Sequence, residues 1–356
     1  MLKKIDFYII KKFLGTYVFA ILLIISIAVV FDINEKIDDF MEAPMKSIIF
    51  DYYLNFIPYY ANLFSQIFTF IAVIFFTSKL AENSEIIAIL SSGISFKRLM
   101  VPYMISAAII SSLTFTLNSF VIPSANKTRI EFQNKYVSNK KVDYAANVQL
   151  QVSPGVIAYI NRYDDNLKTG YRFSMEKFEG KSLKSKLTAE SIRYDSAYHW
   201  IVRNYTIRDF DGMNETFRKG SRLDTIITIA PSDFLISRYD AELMTTPELN
   251  RYIKKQQERG ASNVKPFQIE YEGRIASIFA AFILTSIGMS LSSRKVKGGM
   301  GVNIGIGLIL SFTYIMFSTI SSTFATNGDM SPRLAVWLPN ILYIIIAIYL
   351  YTKAPK

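Results

Sequence analysis

Phe13–Phe31 reads FLGTYVFAILLIISIAVVF, nineteen residues without Asp, Glu, Lys, Arg or His. As a helix it rises about 28 Å, close to the roughly 30 Å hydrocarbon core of a bilayer. Tyr52–Ser78, Leu99–Asn126, Ile275–Ser293, Gly298–Gly328 and Leu334–Thr352 share the property, three windows before and three after one long polar insert. The pattern predicts an α-helical membrane protein with six transmembrane helices, at 13–31, 57–78, 99–122, 275–293, 300–324 and 334–352. The N-terminal membrane half is 1–126 and the C-terminal half 273–356. Transporters driven by protons or ions keep charged residues within their spans. These windows hold none, so the work is powered from elsewhere.

Composition narrows the chemistry. Hydrophobic residues make up 51% of the chain, and there are no cysteines and one histidine, His199. That excludes a disulfide scaffold, a thiolate nucleophile and a Cys- or His-built zinc site. Acid pairs such as Asp38-Asp39 and Asp164-Asp165 have no base beside them, so no catalytic group, metal site or cofactor is implied. The net charge of +11 reads as topology and not as nucleic-acid binding. Lys3, Lys4, Lys11, Lys12, Lys79, Lys97, Arg98, Arg294, Lys295, Lys297, Lys353 and Lys356 all fall on one side of the spans. The opposite short loops hold only Lys36, Lys46 and Arg333, beside the acidic Asp32, Glu35, Asp38, Asp39 and Glu42. Both termini are therefore expected in the cytoplasm, with the insert outside, in the periplasm of a Gram-negative cell.

The first span is expected to be retained. Its apolar core is long for a signal peptide, and Val30-Phe31-Asp32-Ile33 offers no small-x-small cleavage site. Ahead of it, Leu2, Ile5, Ile9 and Phe13 recur at helical steps among lysines. They predict either an amphipathic segment on the inner leaflet or a short basic stop.

The insert, 127–245, reads as strands: Gly155–Tyr163, ended by Asp164-Asp165-Asn166; Gly170–Phe178, alternating Tyr171, Phe173 and Met175 with polar residues; Leu183–Tyr194; His199–Phe210, closed by Asp211-Gly212; and Asp224–Ile229 before Pro231. Strands at this spacing predict an all-β sandwich, roll or jelly roll. His199 and Trp200 are then a surface and a core position of one strand. A helix and connector follow at 246–272. Thr246 suits the N-cap and Pro247 the first turn, Leu249, Tyr252 and Ile253 share a face, and Gly260 stops the helix.

Between the second and third spans lies Ser84-Glu85-Ile86-Ile87-Ala88-Ile89-Leu90-Ser91-Ser92-Gly93-Ile94-Ser95. Asn83 or Ser84 can cap a short helix over 84–93, Glu85 suits its positive end and Gly93 ends it. Ile86, Ile87, Ile89 and Leu90 give an apolar stripe. A helix of two or three turns is marginal alone, so the stripe needs membrane or a partner groove. This stretch, Ile5-Asp6-Phe7-Tyr8-Ile9 at the start and Trp337-Leu338-Pro339-Asn340 at the last span resemble motifs of one family. With the span order and the β-insert, essentially the whole chain is similar to the lipopolysaccharide-export permeases, the F and G subunits of the Lpt system (LptF/LptG, YjgP/YjgQ type).

The resemblance implies a permease subunit of an ABC exporter. It would pair with a second permease subunit, bind a cytoplasmic ABC ATPase dimer, and pass lipopolysaccharide from the inner membrane to a periplasmic bridge protein through a jelly-roll-like domain. It makes the short helix a coupling helix, with Ser84, Glu85, Ile86, Ile89, Leu90 and Gly93 as its residues; an interfacial helix with a capping acid is the plain alternative. Gly301 and Gly305 form a Gly-x-x-x-Gly pair permitting close helix contact, and the resemblance places a lateral gate between the first and fifth spans. The cluster Gly298, Gly299, Gly301, Gly305, Gly307 lacks the Gly-Lys-Ser/Thr of a nucleotide loop. Lys127, Arg129, Lys36 and Arg274 lie where a lipid phosphate could meet cations, or where interfacial anchors snorkel. Where G-type relatives carry a lysine at the end of the first span, this chain has Asp32. Asn55, Asn62, Gln66 and Asn118 can bond across helices or line a polar path. A non-transporting anchor whose β-domain docks other proteins is the alternative function.

Overall fold

The buried face of the first span is a single stripe at four-residue steps, Ile9, Phe13, Tyr17, Ile21 and Ile25. That stripe runs straight through the basic N-terminal segment. In the computed structural model, which describes residues 3–137, 144–212, 214–231, 238–258, 264–294, 299–327 and 330–354, Lys4–Glu35 is accordingly one unbroken helix, α1. The separate surface segment read from the sequence is not there. Continuation of the stripe buries Ile9 and Phe13 instead of laying them on a leaflet.

Helix α2 is Leu54–Glu82, entered through a π turn at Ile48–Tyr53. Then come α3 at Glu85–Ser91, α4 at Phe96–Thr116 and, after a π turn at Leu117–Val121, α5 at Ile122–Phe132. A last π turn carries this rod to Val137. It does not stop near Asn126, because Lys127, Arg129 and Glu131 prolong the helix beyond its apolar part. Thr246–Glu258 forms α6, Lys265–Ser292 α7, Gly299–Asn327 α8 and Pro332–Lys353 α9. The fourth span thus starts well before 275, and the expected stop at Gly260 lies outside the described residues. Among the described residues, six helices are long and apolar enough to cross a membrane.

The chain divides into two units. The first holds residues 1–137, 242–246 and 268–356; the second holds 138–241 and 247–267. Within the first, α2 is the hub. It packs on α1 and α8. A Cβ at Gly288 of α7 would stand 2.1 Å from the Val73 side chain, and one at Gly307 of α8 2.2 Å from Ile74. With no charges in the apolar windows, hydroxyls and amides join the helices. Tyr17 and Ser65 share a 2.7 Å bond, Ser65 meets Thr114 at 3.1 Å, Thr77 donates to Tyr103 at 3.1 Å, and Asn303 donates to Ser78 at 3.1 Å. The Trp337–Asn340 motif has the same role. Trp337 Nε1 donates to Glu272 at 3.0 Å, Asn340 Nδ2 to the Ala276 carbonyl at 3.0 Å, and Tyr314 to Asn340 Oδ1 at 2.8 Å. It fixes α9 to α7 and α8.

In the second unit six antiparallel strands pair in chain order: β1 Tyr144–Ser153, β2 Val156–Asp164, β3 Thr169–Glu179, β4 Ser182–Ser196, β5 His199–Asp211 and β6 Asn214–Ile226. This is the expected β-domain between the third and fourth spans. Trp200 is buried in its core and donates to the Ile229 carbonyl at 3.0 Å, whereas His199 is exposed. A crease crosses the sheet. The pairing jumps from Ile160↔Phe173 to Arg162↔Tyr171, and from Ala189↔Tyr205 to Ser191↔Arg203. Asn161, Arg172, Glu190 and Asn204 are passed over, and Arg172 and Asn204 have φ of 51° and 49°. In–out alternation reverses at this row on each strand: Ala158 and Ile160 then Tyr163, Leu187 and Ala189 then Ile192, Trp200 and Val202 then Tyr205. The register is unchanged on either side of the row, and the positive φ of Arg172 and Asn204 with the reversed alternation marks a bend across the sheet. Tyr171 accordingly lies outside, and Gly170 takes the inward place the sequence reading gave to it.

Candidate functional site

Two groups of polar residues stand at opposite ends of α2. At its C-terminal end, α3 is set off by two left-handed residues, Ser84 at φ 61° and Gly93 at φ 87°. Gly93 thus ends the helix as its type suits. Ser84 occupies the cap position without a side-chain cap bond. Ile86 is 1% exposed, in one apolar cluster with Ile9, Phe13, Leu99 and Tyr103, and Ile89 and Leu90 pack against that cluster. Most of the apolar stripe therefore faces the chain's own core. The outward face holds Ser84, Ile87, Ala88 and Ser91, with Ile87 55% exposed. Glu85 is half-buried and accepts from Asn83 Nδ2 at 3.2 Å and from the Tyr8 hydroxyl at 3.3 Å. Beside it, Asp6 is buried and takes both arms of Arg98, at 2.8 and 2.5 Å.

At the other end of α2 a cavity of about 170 Å³ is lined by Tyr59, Asn62, Leu63, Asn118, Ile122, Glu242 and Glu270. Asn62 Oδ1, Asn126 Oδ1 and Arg129 Nε are buried there or nearby on the same helices, with no hydrogen-bond partner among the described residues. The Arg129 guanidinium sits 4.4 Å from the Tyr59 ring centre. Burial, then the charge of Glu270, push the Glu242 carboxyl above the usual range, against the opposing pull of Arg129 and Arg274. Of the sequence's polar candidates, Asn62 and Asn118 meet here. Asn55 instead donates to the Phe50 and Asp51 carbonyls of its own π turn.

The four candidate cations separate. Arg274 is 1% exposed and spans Glu270 at 2.8 Å, the Met244 carbonyl at 2.9 Å and Thr246 Oγ1 at 3.1 Å. It is a buried strut holding 242–246 to α7, not an accessible headgroup ligand. Lys36 is bonded to Asp32 and, at 2.8 Å, to the Tyr52 hydroxyl. Asp32 in turn accepts from Tyr52 at 3.0 Å and Tyr53 at 3.2 Å. The residue read as part of an acidic loop is thus a buried, neutralised junction. Lys127 is exposed and Arg129 half-buried, so these two keep an open side.

Residues 7–353 match the family model described as Lipopolysaccharide export system permease LptF/LptG. The chain belongs to that family. No curated protein sequence matches it. As a family member it is a multi-pass permease subunit, and lipopolysaccharide export is the role its family carries. Among the described residues of this permease, Gly301 and Gly305 bring no helix close, since a Cβ on either would meet nothing within 4 Å. The close approaches fall on Gly288 and Gly307. Gly298, Lys295 and Lys297 lie outside the described residues. The sequence reading missed Asp6 and Tyr8 at the α3 corner, and Tyr59, Glu242 and Glu270 at the cavity. The first pair stood in a quoted motif, and its partners are distant in sequence. Glu242 lies at the end of the segment read as the β-insert, and Glu270 in the segment read as helix and connector.

Proposed function

We propose that this permease is the transmembrane subunit of an ATP-driven exporter that extracts lipopolysaccharide from the inner membrane and passes it through its β-domain to a protein bridge toward the outer membrane. Both termini and α3 lie in the cytoplasm in this reading, and the β-domain is periplasmic. A second permease subunit and a cytoplasmic ABC ATPase dimer complete the machine. The family match over residues 7–353 is the observation that carries it. The geometry of α3 supports the coupling role: its anchor Ile86 is used internally, and the surface left for a partner is Ser84, Ile87, Ala88 and Ser91. An apolar knob on a short, half-supported helix suits a groove in another protein. Glu85, held by Tyr8 and Asn83, orients that face as well as contributing charge.

Lys127 and Arg129 are the headgroup cations in this scheme; Arg129 stacks on Tyr59 of a cavity whose Asn62 Oδ1, without a partner among the described residues, leaves polar capacity for a ligand or water. Gly301 and Gly305, on an open face of α8, then serve a contact with the second subunit at the lateral gate. The test is purification from native membranes with the ATPase and lipid assayed. The wild-type chain should retain both, Ile87→Asp should lose the ATPase while staying in the membrane, and Glu85→Ala should reduce export. Recovery of the chain with neither ATPase nor lipid would favour the docking-anchor alternative.

A further inference from the structure

Helix α3 is poorly built to transmit force along its own backbone. It has seven residues, too few to hold a helix unaided. Left-handed residues break the helical backbone on both sides, Ser84 toward α2 and Gly93 toward α4. Its firm connections run sideways. Glu85 is bonded by Tyr8, and Ile86 shares a core cluster with Ile9 and Phe13. Two residues before Tyr8, the Asp6 carboxylate is 1% exposed and bonded to both terminal nitrogens of Arg98. Asp6 also caps α1, accepting from the Lys3 backbone nitrogen at 2.6 Å. Arg98 lies in the first turn of α4, whose cap Ser95 accepts from the Arg98 backbone nitrogen at 3.3 Å. The first two turns of α1 are therefore clamped to the corner formed by α3 and α4.

What they are clamped to continues without a break. Helix α1 has 32 residues, a rod of about 48 Å. Near its far end Asp32 accepts from Tyr52 and Tyr53 at the entry to α2. A displacement of the corner thus has a stiff path to the opposite face of the bundle that bypasses both kinked joints of α3.

We propose that Asp6 and Arg98 are positioning residues that make α3 and the start of α1 one moving body, so that α1 carries the motion of the coupling helix across the membrane. This rests on the reading of α3 as the ATPase-facing helix. Neither residue touches lipid or nucleotide. They act by holding the start of α1 against the first turn of α4, which keeps Tyr8 and Ile9 seated on Glu85 and Ile86 of α3.

The test uses the assembled complex and reads lipopolysaccharide released per ATP hydrolysed. Asp6→Asn and Arg98→Gln should keep the ATPase bound and hydrolysing, yet raise the ATP consumed per lipid several-fold. The swap of Asp6→Arg with Arg98→Asp should bring the ratio back toward wild type. Single variants with an unchanged ratio, or a swap no better than the singles, would overturn the proposal. Should the single variants fail to assemble, spin labels decide. The chain has no cysteine, so Lys4→Cys and Ser92→Cys, both at exposed positions outside the face left for the ATPase, label uniquely. Their distance should stay single and narrow through the nucleotide cycle, and a distance that changes with nucleotide would refute the clamp. A wild-type complex that releases no lipid with ATP would instead count against the exporter reading itself.

Discussion

The two ends of α1 solve the same problem differently. Each buries an aspartate, Asp6 at 1% and Asp32 at 7% exposure. Asp6 depends on one cation 92 residues away, Arg98. Asp32 has a local cation four residues on, Lys36, and two tyrosine hydroxyls from the entry to α2. A buried carboxylate left without its cation is costly. The Asp6 end is therefore fragile and informative about tertiary contact, whereas the Asp32 end is redundant. The charge-free windows do not make the bundle electrically inert; Asp6–Arg98 and Asp32–Lys36 sit as pairs where the apolar stretch of α1 stops.

Arg98→Ala should have the largest effect, because it strips Asp6 of its one paired cation. The expected loss is roughly 5 °C in Tm, read by melting in detergent; a loss no greater than that of Lys36→Ala would erase the contrast between the ends. Tyr52→Phe should cost about 2 kcal/mol, since its hydroxyl donates to Asp32 and accepts from Lys36, while the carboxylate keeps Lys36 and Tyr53. A third carboxylate responds to pH. The Glu242 carboxyl is raised by burial and by Glu270, so its folded form holds the proton more tightly than the unfolded chain. Its contribution to stability is then fully present below roughly pH 4 and lost as pH rises through the raised value. Glu242→Gln should flatten the fall in Tm between mildly acidic and neutral pH, and a Tm profile parallel to wild type would remove Glu242 as its source. The smallest effect belongs to Tyr8→Phe. Its bond to Glu85 is exposed and 3.3 Å long, so Tm should move by no more than a degree while lipid released per ATP falls measurably.

The spans were legible because nineteen or more uncharged residues in a row admit few other structures. Helix α3 was legible from Glu85 and Gly93, although not the direction its stripe would face: Ile86 and Ile87 are adjacent and equally apolar, and only packing tells which is buried. In the β-domain the runs from Val156 to Phe210 stood out by alternation. Strand β6, NETFRKGSRLDTI, did not, since an edge strand among described residues needs little apolar surface. The crease was hidden as well. Arg172 and Asn204 carry a backbone conformation that glycine would have announced. The cations were the least legible part. Lys36, Arg274 and Arg129 look alike in sequence, and their fates depend on whether Asp32, Glu270 or the Tyr59 ring stands against them.

In the proposed exporter, a membrane bundle without ionisable groups in its apolar windows draws its work from a partner ATPase. The most direct measurement is lipopolysaccharide release from vesicles holding the purified complex, followed with ATP and, separately, with an ion gradient. Release that requires ATP and ignores the gradient is the predicted result. Release driven by the gradient in the absence of ATP would contradict it.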